Sequence, residues 1–311
     1  MTAPRSQQYT FAEVADGIHA AIARPEGYAV CNSGMVDLGG AAIVFDTSLT
    51  LGTARELRSV TEDILGSTAT LAANSHWHLD HSLGNQEFST VPIWSTLRTR
   101  EILLEKTEEL NAELTREAIE KDILDLEGRR DGMRSEGARA DLEFALQINR
   151  AILSEVGKLE ITPPGHTFEG RMWLPGDRGA ELVSFGSGHT EADAILYLPE
   201  DKVVFAGDLV CVGVQPSMGS GDPRHWLVVL DDIERLLPEH IVPGHGPVVT
   251  TDGVQETRGY VSGMLEAAEA APGATLPLSL RRWEGSMSLE ANLKFTRAWV
   301  ASQDGQKPAA A

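Results

Sequence analysis

The sequence predicts an α/β fold, and two observations support that prediction. Short apolar runs that end at glycine or turn residues lie on both sides of the middle of the chain, which is typical of β-strands. Other segments have apolar residues at steps of three and four, which is typical of helices. At 311 residues, the chain can bury one large core and still carry an insertion.

The N-terminal third is expected to consist mostly of strands. Its apolar runs read GIHAAIA, YAVCNSGMVDLGG and AAIVFDT, and Gly39-Gly40 marks a hairpin turn. Residues 54–65 have helical spacing, and TATLAA after them resembles a buried strand. That strand leads directly into NSHWHLDHSLGN, the most unusual stretch of the chain.

The composition changes between residues 97 and 156, where charged residues are dense. Two runs of apolar residues recur there at helical steps: Leu103, Leu110 and Leu114, then Phe144, Ile148, Ile152 and Val156. The break between the two runs reads EGRRDGMRSEG. We predict a helical hairpin over 97–160, inserted into a main domain that covers 9–250.

Strand-like runs return after the insertion as ELVSF, AILYL, KVVFAG and HIVPG. A helix over 223–237 begins with Asp222 as its cap and Pro223 at its first position. Two further helical stretches, 254–271 and 289–300, define a helical extension over 251–303.

The overall composition disfavours some classes of protein. The formal net charge is −20, which argues against a nucleic-acid partner or an anionic membrane surface. No apolar segment is long enough to span a membrane, and the first residues do not resemble a secretion signal. The two cysteines are far apart in the chain, as expected for reduced thiols. We therefore expect a cytoplasmic protein.

Residues 76–81 contain three of the nine histidines of the chain and one aspartate. Three further candidates lie just beyond the end of a strand-like run and next to a glycine: His189 in GSGHT, Asp208 in FAGD and His245 in VPGHG. If those runs belong to neighbouring sheets, their ends bring all of these side chains to one rim. Rigid strands followed by glycine-containing loops are well suited to that purpose.

The spacing within 76–81 favours two metal ions. His76 and His78 are two residues apart in an extended chain, so they point to the same side and can share one ion. Asp80 and His81 turn away from that pair and are better placed for a second ion. Asp208, on another strand, can bridge the two ions, which typically lie about 3.5–4 Å apart in such sites. A lone histidine is usually a packed or solvated residue, but a string of this kind is informative.

Four motifs, in the order HWHLDH, GSGHT, FAGD and VPGHG, resemble those of the metallo-β-lactamase superfamily. The resemblance implies a four-layer αββα sandwich with a metal site at one edge of its two sheets. It also implies that His76, His78 and His189 hold one ion and that Asp80, His81 and His245 hold the other, with Asp208 bridging. True class B β-lactamases usually carry cysteine or serine at the position of Asp208. An aspartate there is similar to glyoxalase II and the lactonases.

The function expected from this resemblance is that of a metal-dependent hydrolase. A metal-bound hydroxide would attack a small carboxyl derivative, namely a lactone, a thioester or a lactam. The expected cofactors are two Zn²⁺ ions, although iron or manganese also fits this donor set. Asp80 is a candidate proton shuttle, and a role as ligand alone fits it equally well. The alternatives are an iron-dependent oxidoreductase similar to persulfide dioxygenases, and a non-catalytic metal-binding protein.

Several other residues have two alternative roles each. Trp77 either lies along the substrate groove or packs in the core, and His166 either faces the groove or is solvated. Asp46 and Thr190 either orient metal ligands or cap turns. The inserted hairpin either covers the groove or packs against a second copy, so a homo-oligomer is one expectation for this chain.

Overall fold

The computed structural model describes residues 6–271 and 273–304, and in them two β-sheets pack face to face. The first sheet has seven strands in sequence order: β1 (Tyr9–Ala15), β2 (Ile18–Ala23), β3 (Ser33–Asp37), β4 (Ala42–Phe45), β5 (Leu71–Ala73), β6 (Ile93–Thr96) and β7 (His166–Phe168). The second has five, β8 (Arg171–Trp173), β9 (Glu181–Gly186), β10 (Asp193–Leu198), β11 (Val203–Cys211) and β12 (His240–His245), in the order β12-β11-β10-β9-β8.

Helices cover both outer faces of this sandwich. The helices are α1 (Leu51–Leu65), α2 (Leu79–Ser82), α3 (Leu97–Glu113), α4 (Arg116–Gly132), α5 (Glu136–Glu155), α6 (Pro223–Arg235), α7 (Thr251–Glu269) and α8 (Met287–Asp304). Helix α1 packs on the outer face of the first sheet through Ala54, Leu57 and Val60. Helices α6 and α7 pack on the outer face of the second. A third apolar cluster fills the space between the sheets, so the αββα sandwich is confirmed.

The hairpin expected at Gly39-Gly40 is present between β3 and β4, which pair antiparallel. Both glycines have positive φ, 72° and 85°, a backbone region that disfavours residues with a side chain. The N–H of Gly39 donates to Oδ1 of Asp37 at 2.9 Å, which closes the turn. The expected strand after residue 68 is shorter than the apolar run, since β5 covers only Leu71–Ala73.

The inserted segment contains three helices, whereas its periodicity predicted a hairpin of two. Helices α4 and α5 form that hairpin, and α3 precedes it as a separate helix. The additional break falls at Leu114 and Thr115, where the hydroxyl of Thr115 accepts from the N–H of Ala118 and caps α4. Neither residue is glycine or proline, so the sequence carried only the weak signal of a threonine cap.

The C-terminal helices do not form a separate core. Val254, Tyr260, Val261 and Met264 of α7 belong to the same buried cluster as the second sheet. Helix α8 packs in turn against α7. The predicted boundary at residue 250 separates the sequence that contains the motifs from the helices after it. That it is also a boundary between domains stays a prediction. Among the described residues, no helix has the length and apolar character needed to cross a membrane.

Helix α5 is fastened to the rest of the protein along its whole length. In its first turns, Asp141 Oδ2 accepts from the N–H groups of Met287 and Ser288 at 2.8 and 3.1 Å. In its middle, the amide of Gln147 donates to backbone carbonyls of the loop before β3. In its last turn, Glu155 accepts from the first two N–H groups of α1, at 2.6 and 3.0 Å. These contacts make α5 a fixed part of the main fold.

Glu155→Ala is expected to lower the free energy of unfolding by about 1–2 kcal/mol, because two N–H groups at the positive end of α1 lose a carboxylate acceptor. Urea denaturation measures this change. Glu155→Gln keeps one acceptor oxygen and should lose less. Glu143, exposed on the same helix, provides the matched control: Glu143→Ala should change stability by less than about 0.5 kcal/mol. Equal losses for the two alanine variants would contradict the anchoring role.

Candidate metal centre

Four segments bring the candidate ligands to one edge of the sandwich. His76, His78, Asp80 and His81 lie in the loop and short helix α2 after β5. His189 lies in the loop between β9 and β10. Strands β9, β11 and β12 run in the same direction, so their carboxyl ends meet at this edge. The N–H of Ala194 donates to the carbonyl of Ser75 at 2.7 Å and ties the two sheets together there.

Two of the candidates lie inside strands and not beyond them as the sequence had indicated. Asp208 is the sixth residue of β11, which continues to Cys211, and His245 is the last residue of β12. The register of the parallel pair is irregular here, from Gly207 opposite Pro243 to Cys211 opposite His245. A Cβ at position 244 would overlap Oδ1 of Asp208, so Gly244 leaves the space that this carboxylate occupies.

The seven side chains form two groups, in each of which the potential ligand atoms lie within 4.8 Å of one another. The first group contains His76, His78, His189 and Asp208. In it, Nε2 of His189 lies 3.0 Å from Nδ1 of His78 and 3.4 Å from Oδ2 of Asp208. This combination of three imidazoles and a carboxylate can hold a divalent transition metal such as zinc.

The second group contains Asp80, His81 and His245. Oδ2 of Asp80 lies 3.5 Å from Nε2 of His81 and 3.4 Å from Nε2 of His245. Both of these nitrogens are also 3.2 Å from Oδ1 of Asp208. Asp208 therefore directs one carboxylate oxygen to each group, an arrangement that can bridge two ions.

Several atoms in this cluster are buried without a hydrogen-bond partner among the described residues. They are Nε2 of His76, Nε2 of His81, Nδ1 of His189 and Oδ1 of Asp208. A buried polar atom with no partner costs free energy, so a cluster of such atoms needs an explanation. Divalent cations in the two groups would satisfy three of the four: the Nε2 atoms of His76 and His81 and Oδ1 of Asp208. The donor set therefore fits a metal site.

The pKa values set by these side chains alone favour the cation-binding form of His189 and Asp80 and the protonated form of His245. Burial lowers the pKa of His189 to about 3, so its ring is neutral. Burial raises the pKa of Asp80, but His81 and His245 outweigh it and hold the value at about 2. Burial lowers the pKa of His245, but the carboxylates of Asp208 and Asp80 outweigh it and raise the value to about 10. A cation bound here would take the place of that proton.

Asp46 orients His81 through a direct hydrogen bond and His76 through Ser75. Its Oδ2 accepts from Nδ1 of His81 at 2.8 Å and from the hydroxyl of Ser75 at 2.8 Å, and its Oδ1 accepts from the N–H of Ser75 at 2.7 Å. The same hydroxyl lies 2.9 Å from Nδ1 of His76 and can accept its proton. Both rings then carry their proton on Nδ1 and direct the lone pair of Nε2 into the cluster.

Two of the other three histidines, His245 and His78, also have a hydrogen-bond partner outside the cluster. Nδ1 of His245 lies 3.1 Å from the carbonyl of Val30, and Nε2 of His78 lies 3.3 Å from the hydroxyl of Ser220. Thr190 forms no hydrogen bond with a candidate ligand side chain among the described residues. Its N–H and hydroxyl donate to Asp193, which is buried and braces the loop that carries His189. Ser75, Ser220 and Asp193 were not found from the sequence. Only the position of Ser75 directly before His76 hinted at a role.

A cavity of about 370 Å³ opens beside the cluster and is lined by His78, Asp80, Asp208 and His245. Its apolar lining comes from α5, from the first residue of α2 and from the loops after β2, β4 and β11: Val30, Leu49, Leu79, Phe144, Ile148, Ile152, Val214 and Pro216. The volume falls within the range of small-molecule sites. A reactant held there would lie directly against the candidate metal centre.

Trp77 and His166 do not line this cavity. The indole of Trp77 lies beneath the ammonium of Lys106 of α3, 5.2 Å from the ring centre. His166 is exposed on β7, the edge strand of the first sheet, and its ring lies 4.9 Å from that of Trp94. The structure thus places both residues apart from the groove, and their expected contact with substrate stays a prediction.

Comparisons with known proteins agree with this geometry. The sequence model of the metallo-beta-lactamase superfamily matches residues 27–245. The metallo-beta-lactamase type 2 of Bacteroides fragilis is 26% identical over 131 residues, which cover 40% of this chain and 51% of that protein. The chain thus matches about half the length of this relative.

Solved structures with the same fold cover most of the chain. A metallo-beta-lactamase from Pontibacter korlensis superimposes with a TM-score of 0.59 at 17% identity, covering 82% of this chain and 99% of that one. FIM-1 from Pseudomonas aeruginosa, in its mono-zinc form, superimposes with a TM-score of 0.56 at 16% identity, covering 84% and 98%. At these identities the likeness shows the fold alone.

Proposed function

The chain belongs to the metallo-β-lactamase superfamily, and on that premise we propose that it is a dinuclear zinc hydrolase of a small carboxyl derivative: a lactone, a thioester or a lactam. The observation that supports this proposal is the convergence of seven side chains in two groups that share Asp208. We assign His76, His78 and His189 to one zinc ion. We assign the remaining ligands to the other: Asp80, His81 and His245, with Asp208 between the two ions.

Zinc ions in these positions would lower the pKa of a bound water to about 7 and so supply hydroxide in a neutral cell. The side chains of this protein would orient the reaction. Asp208 and His245 line the cavity, so the carbonyl of a reactant bound there would lie against the metal groups. Hydrolysis adds the oxygen of one water to the acyl carbon, breaks the bond to the leaving oxygen, sulfur or nitrogen, and returns a proton to the leaving atom.

Asp80 is the residue that we propose for moving this proton. Its carboxylate lines the cavity and its side chain is 22% exposed, whereas the metal-facing histidines His76 and His81 are fully buried. Oδ2 lies between His81 and His245 and is therefore at the boundary of the second group and the open space. From there it can take a proton from the attacking water and deliver it to the leaving group.

Metal analysis combined with a hydrolysis screen tests this proposal. The screen covers four probe classes: lactones, thioesters, β-lactams and phosphodiesters. Purified protein is expected to contain about two equivalents of zinc per chain and to hydrolyse at least one of the first three. The first three classes agree with the proposal because they present an acyl carbon. The β-lactam class is included because the similar structures are named metallo-β-lactamases.

Two outcomes would count against the proposal. About one equivalent of iron, with oxygen consumed in the presence of a persulfide, would indicate the oxidoreductase instead. Two bound metal ions without turnover of any of the four probe classes would indicate a non-catalytic protein. A cytoplasmic location and a homo-oligomer remain predictions about this chain.

A further inference from the structure

The cavity beside the candidate metal centre has a largely apolar lining apart from the candidate ligands. Helix α5 supplies Phe144, Ile148 and Ile152, which are spaced by four residues and therefore form one stripe that faces the cavity. Val30, Leu49 and Leu79 lie next to this stripe and continue its apolar surface. Phe144 is 48% exposed, so this end of the stripe is open to solvent as well as to the cavity.

The apolar side chains of α5 are held in place by contacts of α5 with the main fold, so no movement of the helix is needed to form this wall. Asp141, Gln147 and Glu155 attach α5 to the start of α8, to the loop before β3 and to the start of α1. The side chains of Ile148 and Ile152 also pack with the buried Leu49 and Leu83 of the main domain. Because the wall is already formed, a reactant with a matching shape gains contact without ordering the helix.

Two further polar side chains line the cavity, Gln215 and Ser217, and both form hydrogen bonds within the protein. The amide of Gln215 donates to the hydroxyl of Ser286 at 2.8 Å and accepts from the hydroxyl of Tyr260 at 3.3 Å. The hydroxyl of Ser217 accepts from the N–H of Gly219 at 3.3 Å. Among the described residues that line the cavity, none is lysine or arginine. A substrate carboxylate far from the metal groups would thus lie against apolar side chains, within a chain of net charge −20.

We infer that this cavity binds the uncharged alkyl portion of the substrate, so that the enzyme acts on carboxyl derivatives with an apolar chain and discriminates against those whose chain ends in a carboxylate. The inference rests on the proposed function for the identity of the reacting group. The preference for an uncharged chain rests on two separate observations. These are the apolar side chains of α5 and the lack of lysine and arginine among the described residues that line the cavity. The reacting acyl group would lie at Asp208 and His245, with the chain directed along α5 toward Phe144.

The first test is a substrate series built on the acyl class that the hydrolysis screen finds active. For lactones, it runs from γ-butyrolactone through γ-hexalactone and γ-octalactone to γ-decalactone. Each of the three members with an alkyl chain is paired with an analogue of equal length that ends in a carboxylate. We expect kcat/KM to rise about fourfold for each added methylene within the cavity, from the burial of apolar surface. The carboxylate-ended partners should fall at least about tenfold below their neutral counterparts.

The second test changes the wall. Phe144→Ala should lower kcat/KM for the longest neutral substrate about tenfold and leave the shortest within about twofold, because only a long chain reaches residue 144. Ile148→Lys should favour the carboxylate-ended substrates about fivefold over wild type. Leu124, 68% exposed on α4 and away from the cavity, provides matched controls. Leu124→Ala and Leu124→Lys should leave the profile unchanged.

A binding measurement keeps this inference separate from the proposed function. Fluorescence titration with N-phenyl-1-naphthylamine, an uncharged apolar probe, should show one site per chain whose affinity falls about tenfold in Phe144→Ala and not in Leu124→Ala. Probe binding with no acyl hydrolysis would defeat the proposed hydrolase and leave the apolar site standing. Hydrolysis that depends on Asp208 but favours carboxylate-ended chains would support the proposed hydrolase and overturn the apolar site. Probe binding that is insensitive to Phe144 also overturns the inference.

Discussion

Asp208→Ala is expected to lower kcat/KM by at least about a hundredfold, the scale observed when a charge-stabilising element of an active site is removed. Oδ1 of Asp208 lies 3.2 Å from the rings of His81 and His245, and Oδ2 lies 3.4 Å from that of His189. No other carboxylate directs its two oxygens to both groups among the described residues. Its loss therefore removes both the ligand that the two groups share and the negative charge between the two proposed cations.

Metal content distinguishes this explanation from simple misfolding. We expect Asp208→Ala to retain one equivalent of zinc or less, measured by mass spectrometry on folded protein with an unchanged circular dichroism spectrum. Asp208→Asn preserves the shape of the side chain but not its charge, and it should lose most of the activity as well. Asp63→Asn, an exposed position on α1, is the control for loss of one negative charge. Full activity with two zinc ions in Asp208→Ala would remove the basis for two-metal chemistry.

Asp46→Asn is expected to weaken metal binding by about 10- to 100-fold, the usual cost of removing a partner that orients a ligand. Asp46 accepts three hydrogen bonds from His81 and Ser75, and an amide can accept only with its single oxygen. Its φ of 63° lies in the left-handed region, which asparagine tolerates, so the backbone need not change. Asp46→Ala would instead leave three buried donors unpaired and should destabilise the fold.

The measurement for Asp46→Asn is the zinc dissociation constant, determined by competition with a chromogenic chelator. Asp37→Asn is the matched control, because Asp37 accepts from the N–H of Gly39 and has only a turn-forming role. Asparagine performs that role nearly as well as aspartate, so zinc affinity should be unaffected by this change. If Asp46→Asn binds zinc as tightly as wild type, Asp46 is a structural residue and does not orient His81.

The candidate ligands were identifiable from the sequence because they occur in short motifs whose spacing has a local cause. His76 and His78 lie on the same side of an extended segment, and this relation does not depend on the rest of the fold. His189 and His245 were recognisable because glycine lies next to each. The αββα layers also followed from the family resemblance, and the two sheets with helices on both outer faces agree with it.

The residues that orient these ligands were harder to identify. Asp46 and Ser75 are 29 positions apart, and their hydrogen bonds form only when β4 and β5 lie side by side. Asp193 is equally inconspicuous in sequence, since its partner Thr190 belongs to a motif and Asp193 does not. Such contacts depend on the register of neighbouring strands, which no single segment determines.

The inserted helices show most clearly which features the sequence alone determines and which depend on the tertiary structure. Helical periodicity in the sequence indicated helices over 97–156 and identified Phe144, Ile148 and Ile152 as one apolar stripe. It did not reveal the break at Thr115, because a threonine cap is a weak signal within a charged segment. Periodicity reports which side of a helix is apolar, but not what that side meets. Only the packing of α5 against α1, α8 and the loop before β3 turns its stripe toward the cavity, because that orientation is set by contacts between residues far apart in the chain.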